Sequence, residues 1–267
     1  MGRHGLAASL FVVLANAANA TPAWAETATL PPRVHPPDTP LLQAVGYCRD
    51  RAYFLHVHEG SLHLNDHRTT ACFYGRIDQN LDLAPLLDLA EGGLFVIRSG
   101  GGNAHAAIRM AEALHSKNAR VVIYDYCLSA CAGIILIATG ETYVTKNSVV
   151  AWHNACNASL VKESTWAKLQ KSCGFNTVLS DRFFARRLIS SAARGFVLRP
   201  QSAYVRKMVR MTYDGSAHHR DLWWTWHPRH YANYLTTKVI YEAYPESQDE
   251  VDTIARRLGL PRIIHDP

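Results

Sequence analysis

Two short apolar runs place the strongest constraint on the fold of this chain. The first is GGLFVIRS at residues 92–99, and the second is RVVIYDY at residues 120–126. Runs of this length are typical of strands that are buried on both faces of a parallel sheet. Between them, from Asn103, apolar positions recur at helical spacing, at Ala104, Ala107, Ile108, Ala111 and Leu114. A strand, a helix and a strand in this order predict a right-handed βαβ unit.

Further segments fit the same α/β class. Strands are predicted at residues 52–58 (AYFLHVH), 61–65 (SLHLN), 70–77 (TACFYGRI) and 149–153 (VVAWH), and a short helix at residues 81–90. The proline-rich residues 26–45 predict an extended lead-in. From about Val161 the pattern is mostly helical, including Arg229 to Tyr244 and Gln248 to Leu258. We expect a single domain over residues 46–267.

Residues 1–25 have the layout of a secretory signal peptide. Arg3 and His4 precede an apolar stretch from Leu6 to Ala18, and the small-residue pattern Ala23-Trp24-Ala25 predicts cleavage after Ala25. No later apolar run approaches the ~20 residues needed to cross a bilayer. We therefore expect a soluble periplasmic or secreted protein whose mature chain has no membrane span.

All cysteines lie beyond the predicted signal, in a compartment where disulfides persist. They are Cys48, Cys72, Cys127, Cys131, Cys156 and Cys173. We expect Cys48 to pair with Cys72 and Cys156 to pair with Cys173, because each bond closes a short loop beside an element boundary. Whether Cys127 and Cys131 bond to each other, bond to Cys156 or include a free thiol stays open at this stage.

The charge pattern argues against a nucleic-acid partner. The formal net charge is +6, but the Lys and Arg residues are spread along the second half of the chain without a dense basic block. Proteins that bind nucleic acids or membrane surfaces normally do so through a concentrated basic patch. We therefore expect neither partner.

Two segments at the carboxyl ends of predicted strands could carry chemistry. In SGGGN, Gly100 to Gly102 precede a helix, so their N–H groups can approach a negatively charged ligand. No nucleotide-loop spacing accompanies them. In CLSACAG, Ser129 lies at a strand-to-helix turn, and His153 ends a later strand. The residues alone fit a serine nucleophile with its base, but they favour a small residue in a tight turn and a hydrogen-bonded core histidine.

A resemblance favours the catalytic interpretation. The order of CFYGRID, FVIRSGGGNAHAAIRMAEAL, VVIYDYCLSACAGIILIATG and SVVAWHN resembles the core of the Clp protease proteolytic subunit and its relatives in the ClpP/crotonase superfamily. The similarity covers about residues 70–154 and extends loosely to RDLWWTWHPRHYANYL. It implies a ClpP/crotonase-like parallel-sheet core of βαβ units with a helical C-terminal part.

The same resemblance implies a catalytic triad. Ser129 matches the nucleophile, His153 the general base and Asp221 the residue that orients the imidazole. The backbone N–H groups of Ala130 and of Gly101 or Gly102 match the oxyanion hole.

The sequence departs from the family pattern at several points. Gly100 replaces the usual proline. Matching Gly140 without a gap would put Cys131 on the nucleophile position, so Cys131 is an alternative to Ser129. An insertion around residues 154–175 must be assumed, and Asp181 and Asp214 are therefore alternatives to Asp221.

The implied activity is that of a serine hydrolase, specifically a peptidase that forms an acyl-enzyme at Ser129. This chemistry needs no metal and no organic cofactor. We expect a peptide or protein substrate, a homo-oligomer as in the family, and no ATPase partner in an exported protein. The alternative is a non-catalytic protein of the same fold, with a binding or assembly role in the cell envelope.

The remaining histidines and tryptophans have simpler interpretations. His56 and His58 share a face of a predicted strand near His63 and His67, which is compatible with a metal site, although exposed strand histidines are the favoured account. His218, His219, His227 and His230 flank Asp221 without a defined ligand spacing. We expect Trp223, Trp224 and Trp226 to pack a C-terminal helix against the sheet.

Overall fold

The computed structural model describes residues 39–54, 60–153, 177–188, 202–205 and 222–267. The described strands are β1 Ser61–Leu64, β2 Thr70–Tyr74, β3 Leu94–Ser99, β4 Arg120–Leu128, β5 Glu141–Val144, β6 Val149–His153, β7 Trp223–Trp226, β8 Lys238–Tyr241 and β9 Ile263–Asp266. The α-helices are α1 Thr39–Phe54, α2 Ala84–Leu87, α3 Ala104–Ser116, α4 Thr177–Arg187 and α5 Gln248–Arg257. A π-helix covers Cys131–Ile135, and a 3-10 helix covers Pro228–Asn233.

The strands form one mixed sheet that is mainly parallel. Its order is β1-β2-β3-β4-β6-β7-β9, and β5 pairs with β4 and β8 away from this path. The pairs β1–β2 and β6–β7 are antiparallel, and the other pairs are parallel. The α/β class and the parallel pairing of β3 with β4 are thus confirmed.

Helices cover both faces of the central strands. On one face, α3 buries Ile108, Met110 and Leu114 in the main core cluster together with Phe95 and Ile97 of β3. Helix α3 begins where the Asn103 side chain accepts a hydrogen bond from the Ala106 N–H at 2.9 Å. Its buried stripe follows the predicted helical spacing, so this βαβ unit is confirmed.

The opposite face is covered by α1, which corrects two predictions. Leu41, Val45 and Cys48 are buried against Val96 of β3 and Val122 of β4. The lead-in predicted as extended is therefore helical from Thr39 onward. The strand predicted at residues 52–58 is wrong for residues 52–54, which end α1, and residues 55–59 lie outside the described part.

A bulge in β4 makes this strand change partners. The register passes from Ile97↔Ile123 to Ser99↔Cys127, so extra residues of β4 lie opposite one residue of β3. Within the bulge, Asp125 has a φ of 55°. Its carboxylate forms ion pairs with Arg49 and Arg98 at 3.0 and 3.3 Å. The first part of β4 pairs with β5, and the part after the bulge pairs with β6.

The C-terminal region contains more strand than the sequence predicts. Helix α5 agrees with the predicted helix at Gln248 to Leu258, and it begins where the Ser247 side chain accepts a hydrogen bond from Glu250 N–H at 3.3 Å. The helix predicted from Arg229 to Tyr244 is wrong, because a short 3-10 helix is followed there by β8. The β-branched residues Val239 and Ile240 pair with β5, and this pairing outweighs the local helical pattern.

The predicted signal peptide lies outside the described residues. The described segments all belong to one compact unit, residues 31–267. None of their helices has the length and apolar character that a membrane crossing requires.

One predicted disulfide is confirmed. Cys48 of α1 is bonded to Cys72 of β2, so the bond fastens the helix to the sheet. Cys156 and Cys173 lie outside the described residues, and their predicted pairing remains a prediction.

We expect the double substitution Cys48→Ala/Cys72→Ala to lower the free energy of unfolding by roughly 3 kcal/mol, because the bond restricts the unfolded chain over a sequence separation of 24 residues. Urea denaturation monitored by circular dichroism measures this change. An unfolding free energy equal to that of the parent protein would contradict the expectation that the bond stabilises the fold by restricting the unfolded chain.

Candidate active site

Ser129 lies at the point where β4 turns into the π-helix. Its N–H donates to the Ala151 carbonyl at 3.0 Å, and its own carbonyl accepts from the Gly133 N–H at 2.8 Å. The residue adopts a φ of 55°. This left-handed conformation costs a non-glycine residue about 1–2 kcal/mol. Such strain is concentrated at functional positions, where it aims a side chain away from the sheet.

His153 is brought to Ser129 by the parallel pairing of β4 with β6. Leu128 is the register partner of Ala151, so the residues that follow them emerge at the same sheet edge. The Ser129 Oγ lies 2.7 Å from the His153 Nε2, a normal hydrogen-bond distance. When Nε2 is the acceptor, this contact is that of a general base on a serine hydroxyl.

Trp223 fixes the plane of the imidazole. Its ring stacks on His153 with centroids 4.2 Å apart and an interplanar angle of 26°. The contact follows from the antiparallel pairing of β6 with β7, in which His153 and Trp223 are register partners. The sequence pattern assigns Trp223 only to packing, because β7 was not recognised as a strand beside β6.

The glycine loop after β3 packs directly against the serine turn. Gly101 has a φ of 86° and Gly102 a φ of 142°, both in the region that favours glycine. A Cβ atom built on Gly101 would lie 2.7 Å from the Ser129 Cβ and 2.8 Å from the Ala130 nitrogen. The loop therefore approaches the turn as closely as a backbone without side chains allows.

The hydrogen bonds of this loop select between the two predicted glycine donors. The Gly101 N–H donates to the Ser99 Oγ at 3.0 Å, and that hydroxyl donates to the Gly75 carbonyl at 2.7 Å. Within the described part of the chain, the N–H groups of Gly102 and Ala130 have no such acceptor. Gly102 is also exposed, whereas Gly101 is buried. The arrangement therefore offers Gly102 and Ala130 as donors to an oxyanion.

The two cysteines around the serine are bonded to each other. Cys127, near the end of β4, forms a disulfide with Cys131, the first residue of the π-helix. Both are fully buried. The alternative in which Cys131 is the nucleophile is therefore not supported, because a disulfide sulfur carries no thiolate.

The structure leaves the third triad member as a prediction. Asp221 and Asp214 lie outside the described residues, and Asp181 is placed on α4. In the sequence, Asp221 precedes by two positions the residue Trp223, which is the register partner of His153.

Most other predicted groups lie elsewhere in the fold or outside its described part. Trp224 and Trp226 are buried in the main core cluster, which contains no residue of the C-terminal helix α5, and Trp226 stacks on Trp152. The predicted packing against α5 is seen for Trp223, which shares a cluster with Val251 and Ile254 of that helix. His227 lies 3.2 Å from the Glu246 carboxylate, and burial lowers its pKa despite the opposing effect of that carboxylate. His230 contacts the Pro267 oxygen at 3.0 Å.

No metal centre emerges from the part of the chain that the structure describes, where no group of three or more His, Cys, Asp and Glu side chains is placed to hold an ion. His63 instead lies 3.2 Å from the Ser61 hydroxyl. His67 is exposed. His56, His58, His218 and His219 lie outside the described residues.

Neither a protein-family model nor a curated protein matches this chain.

We expect Gly101→Ala to lower the free energy of unfolding by roughly 2 kcal/mol or more. The new methyl group would meet the Leu128 carbonyl at 2.5 Å in a conformation that alanine disfavours. The matched control is Gly100→Ala, whose methyl group would have no heavy atom within 4 Å. Urea denaturation of both variants measures the difference, and equal stabilities would contradict the close packing of the loop on the serine turn.

Proposed function

We propose that this protein is an exported serine hydrolase of the ClpP/crotonase type that cleaves peptide bonds through an acyl-enzyme at Ser129. The observation that carries the proposal is the 2.7 Å contact between the Ser129 Oγ and the His153 Nε2. A serine that only fills a tight turn needs no histidine at this distance. The contact therefore favours the catalytic interpretation over a non-catalytic protein of the same fold.

The first half of the reaction follows from the positions of these atoms. The Ser129 Oγ attacks the substrate carbonyl carbon, and its proton passes to the His153 Nε2. The developing oxyanion accepts hydrogen bonds from the Gly102 and Ala130 N–H groups. Stacking on Trp223 keeps the imidazole in one plane while it gains its positive charge, and the indole face favours that charge.

The second half uses the same groups in reverse. The tetrahedral intermediate collapses, and the C–N bond breaks as the imidazolium returns its proton to the departing amine. Water then attacks the acyl-enzyme ester with His153 as general base, and the released carboxylic acid leaves Ser129 restored. No step needs a metal or an organic cofactor.

The assignment to the ClpP/crotonase type has support beyond the serine and the histidine. The parallel strands β2, β3, β4 and β6 are consecutive in the sheet path, as a crossover-built core requires. The glycine loop, the serine turn and the histidine strand meet at their carboxyl ends, where ligands bind in open parallel sheets. The family's assembly into homo-oligomers remains a prediction for this chain.

Export is supported by the oxidised cysteines. Disulfides persist in the periplasm and outside the cell, and they are rare in the cytosol. Each of the four cysteines in the described residues is in a disulfide. We propose that residues 1–25 are the signal peptide that takes the protein there.

The direct test is reaction of the mature protein with a fluorophosphonate probe. The Ser129 Oγ forms the bond to phosphorus, fluoride leaves, and His153 takes the proton. We expect the parent protein to be labelled and Ser129→Ala not to be labelled. We expect His153→Ala to be labelled at least about 10³-fold more slowly than the parent. Mass spectrometry of the intact protein measures the rates.

Ser116→Ala provides a matched control. Ser116 ends α3, and its hydroxyl donates to the Ala113 carbonyl at 2.8 Å, away from the serine turn. This variant should be labelled at the parental rate. A parent protein that stays unlabelled, or Ser129→Ala labelled as fast as the parent, would contradict the proposal and favour the binding or assembly role in the cell envelope.

The third triad member can be identified by three isosteric substitutions. We expect Asp221→Asn to slow labelling by roughly 10³-fold or more, because an amide cannot hold the imidazole in the reactive tautomer. Asp181→Asn and Asp214→Asn should keep the parental rate. The comparison uses the same probe at fixed pH, and a parental rate for Asp221→Asn would remove Asp221 from the triad.

A further inference from the structure

The candidate nucleophile lies inside a covalent ring. The disulfide between Cys127 and Cys131 closes a loop in which Ser129 is the middle residue, flanked by Leu128 and Ala130. One end of the loop belongs to β4 and the other to the π-helix. The bond therefore joins the two elements whose junction is the serine turn.

The backbone inside the ring sets the positions of two groups of the proposed reaction, the Ser129 Oγ and the Ala130 N–H. The φ of 55° at Ser129 sets the direction of its Oγ toward His153. The Ala130 N–H, one of the two proposed oxyanion donors, belongs to the next residue. A change in the distance between Cys127 and Cys131 therefore moves the nucleophile and the donor together.

Loss of the bond must change that distance. Two sulfur atoms that are not bonded cannot remain at the ~2 Å separation of a disulfide, so they move apart by more than about 1 Å. Both cysteines are fully buried and enclosed by core residues, so the displacement cannot be confined to freely rotating side chains. A displacement of about 1 Å at a reacting group can lower its rate on the order of 10²-fold.

We infer that the Cys127–Cys131 disulfide is a positioning group for Ser129, so that the serine becomes reactive only after this bond has formed. The inference rests on the proposed function. It assigns to the bond an effect on the rate of acylation, in addition to any effect on stability. The protein would then be inactive when it folds in a reducing compartment and active when it folds under oxidising conditions.

The burial of the Cys127–Cys131 disulfide determines when this bond can form. Because neither sulfur is exposed, a dissolved thiol cannot attack the disulfide of the folded protein. The bond forms while the chain is still folding, by exchange with a disulfide donor. Oxidised glutathione serves as the donor in the experiment: the two cysteine thiols lose two electrons and two protons, and two molecules of reduced glutathione are released.

The test compares two double substitutions in the full mature chain. Cys127→Ala/Cys131→Ala removes the bond around Ser129, and Cys48→Ala/Cys72→Ala removes the bond between α1 and β2. The readouts are the maximal inactivation rate by the fluorophosphonate probe, the probe concentration at half that rate, and the thermal midpoint of unfolding. The maximal rate reports the reactivity of Ser129, whereas the half-rate concentration reports binding.

Cys127→Ala/Cys131→Ala leaves no sulfur atoms to move apart, but it removes the covalent link across the left-handed turn at Ser129, and the turn can then relax. We expect this variant to lower the maximal rate about 10²-fold and to leave the half-rate concentration within about threefold. Cys48→Ala/Cys72→Ala should keep the parental maximal rate, although its longer loop makes it the less stable of the two. A parental maximal rate in the first variant overturns the inference. An equal loss of rate in both variants also overturns it, because a general loss of stability would then account for the effect.

A refolding experiment covers the case in which Cys127→Ala/Cys131→Ala does not fold. A variant that carries Cys48→Ala, Cys72→Ala, Cys156→Ala and Cys173→Ala, so that only Cys127 and Cys131 can form a disulfide, is unfolded with a reductant and refolded with either oxidised or reduced glutathione. We expect probe labelling only after oxidative refolding, and equal labelling under both conditions overturns the inference. If the parent protein is not labelled at all, the proposed function fails and the inference fails with it. If the parent is labelled and Ser129→Ala is not, the proposed function holds, and the refolding result then tests the role of the Cys127–Cys131 disulfide by itself.

Discussion

The parallel pairing of β4 with β6 is the constraint on which the candidate site depends. Leu128 is the register partner of Ala151, and the Ser129 N–H extends this ladder by one bond. A slip of one residue would reverse the face of every side chain on β6 and turn His153 away from the serine. The bulge at Asp125 makes the pairing possible, because β4 leaves β5 there and meets β6 beyond it. Two arginines hold the Asp125 carboxylate, so the change of partners is fixed by charge as well as by backbone hydrogen bonds.

Three residues in the left-handed region lie beside this pairing. Ser129 and Asp125 lie four positions apart in the sequence, both with φ near 55°, and Gly101 faces the serine turn with a positive φ. Each non-glycine residue of this kind is unfavourable in isolation, so the surrounding contacts must supply the stabilisation. For Ser129 the sheet hydrogen bond, the π-helix and the disulfide all hold the same residue. The candidate site is therefore held in place without a ligand, which the proposed stabilisation of an oxyanion requires.

The sequence predicts those parts of the fold in which local pattern and tertiary environment agree. Strands β3 and β4 are apolar runs buried on both faces, and α3 has a buried stripe at helical spacing, so each is recognised from its own residues. Helix α1 was missed because Ala52 begins an apolar stretch that resembles a strand, whereas packing against Val96 and Val122 selects the helix. Strand β8 was missed because its pairing with β5 is a contact between residues far apart in the chain. Such pairings are not encoded in a local window.

In the candidate site, too, some features are predicted from the sequence and others are seen only in the structure. Ser129, His153 and the glycine loop were singled out because their order along the chain resembles that of the ClpP/crotonase core, whereas their spacing alone carries little information. The structure adds two contacts that the order of residues cannot predict. The Gly101 N–H donates to the Ser99 Oγ, and Trp223 stacks on the His153 imidazole. The disulfide adds a chemical restriction, because the sulfur that could have competed with the serine is instead bonded across it. A free thiolate at Cys131 would be a stronger nucleophile than the serine hydroxyl, but the oxidising conditions that remove it also close the ring around Ser129. The same oxidation therefore leaves Ser129 as the only one of the two candidate nucleophiles that is not in a disulfide, and under our proposal it also fixes the turn that positions the serine.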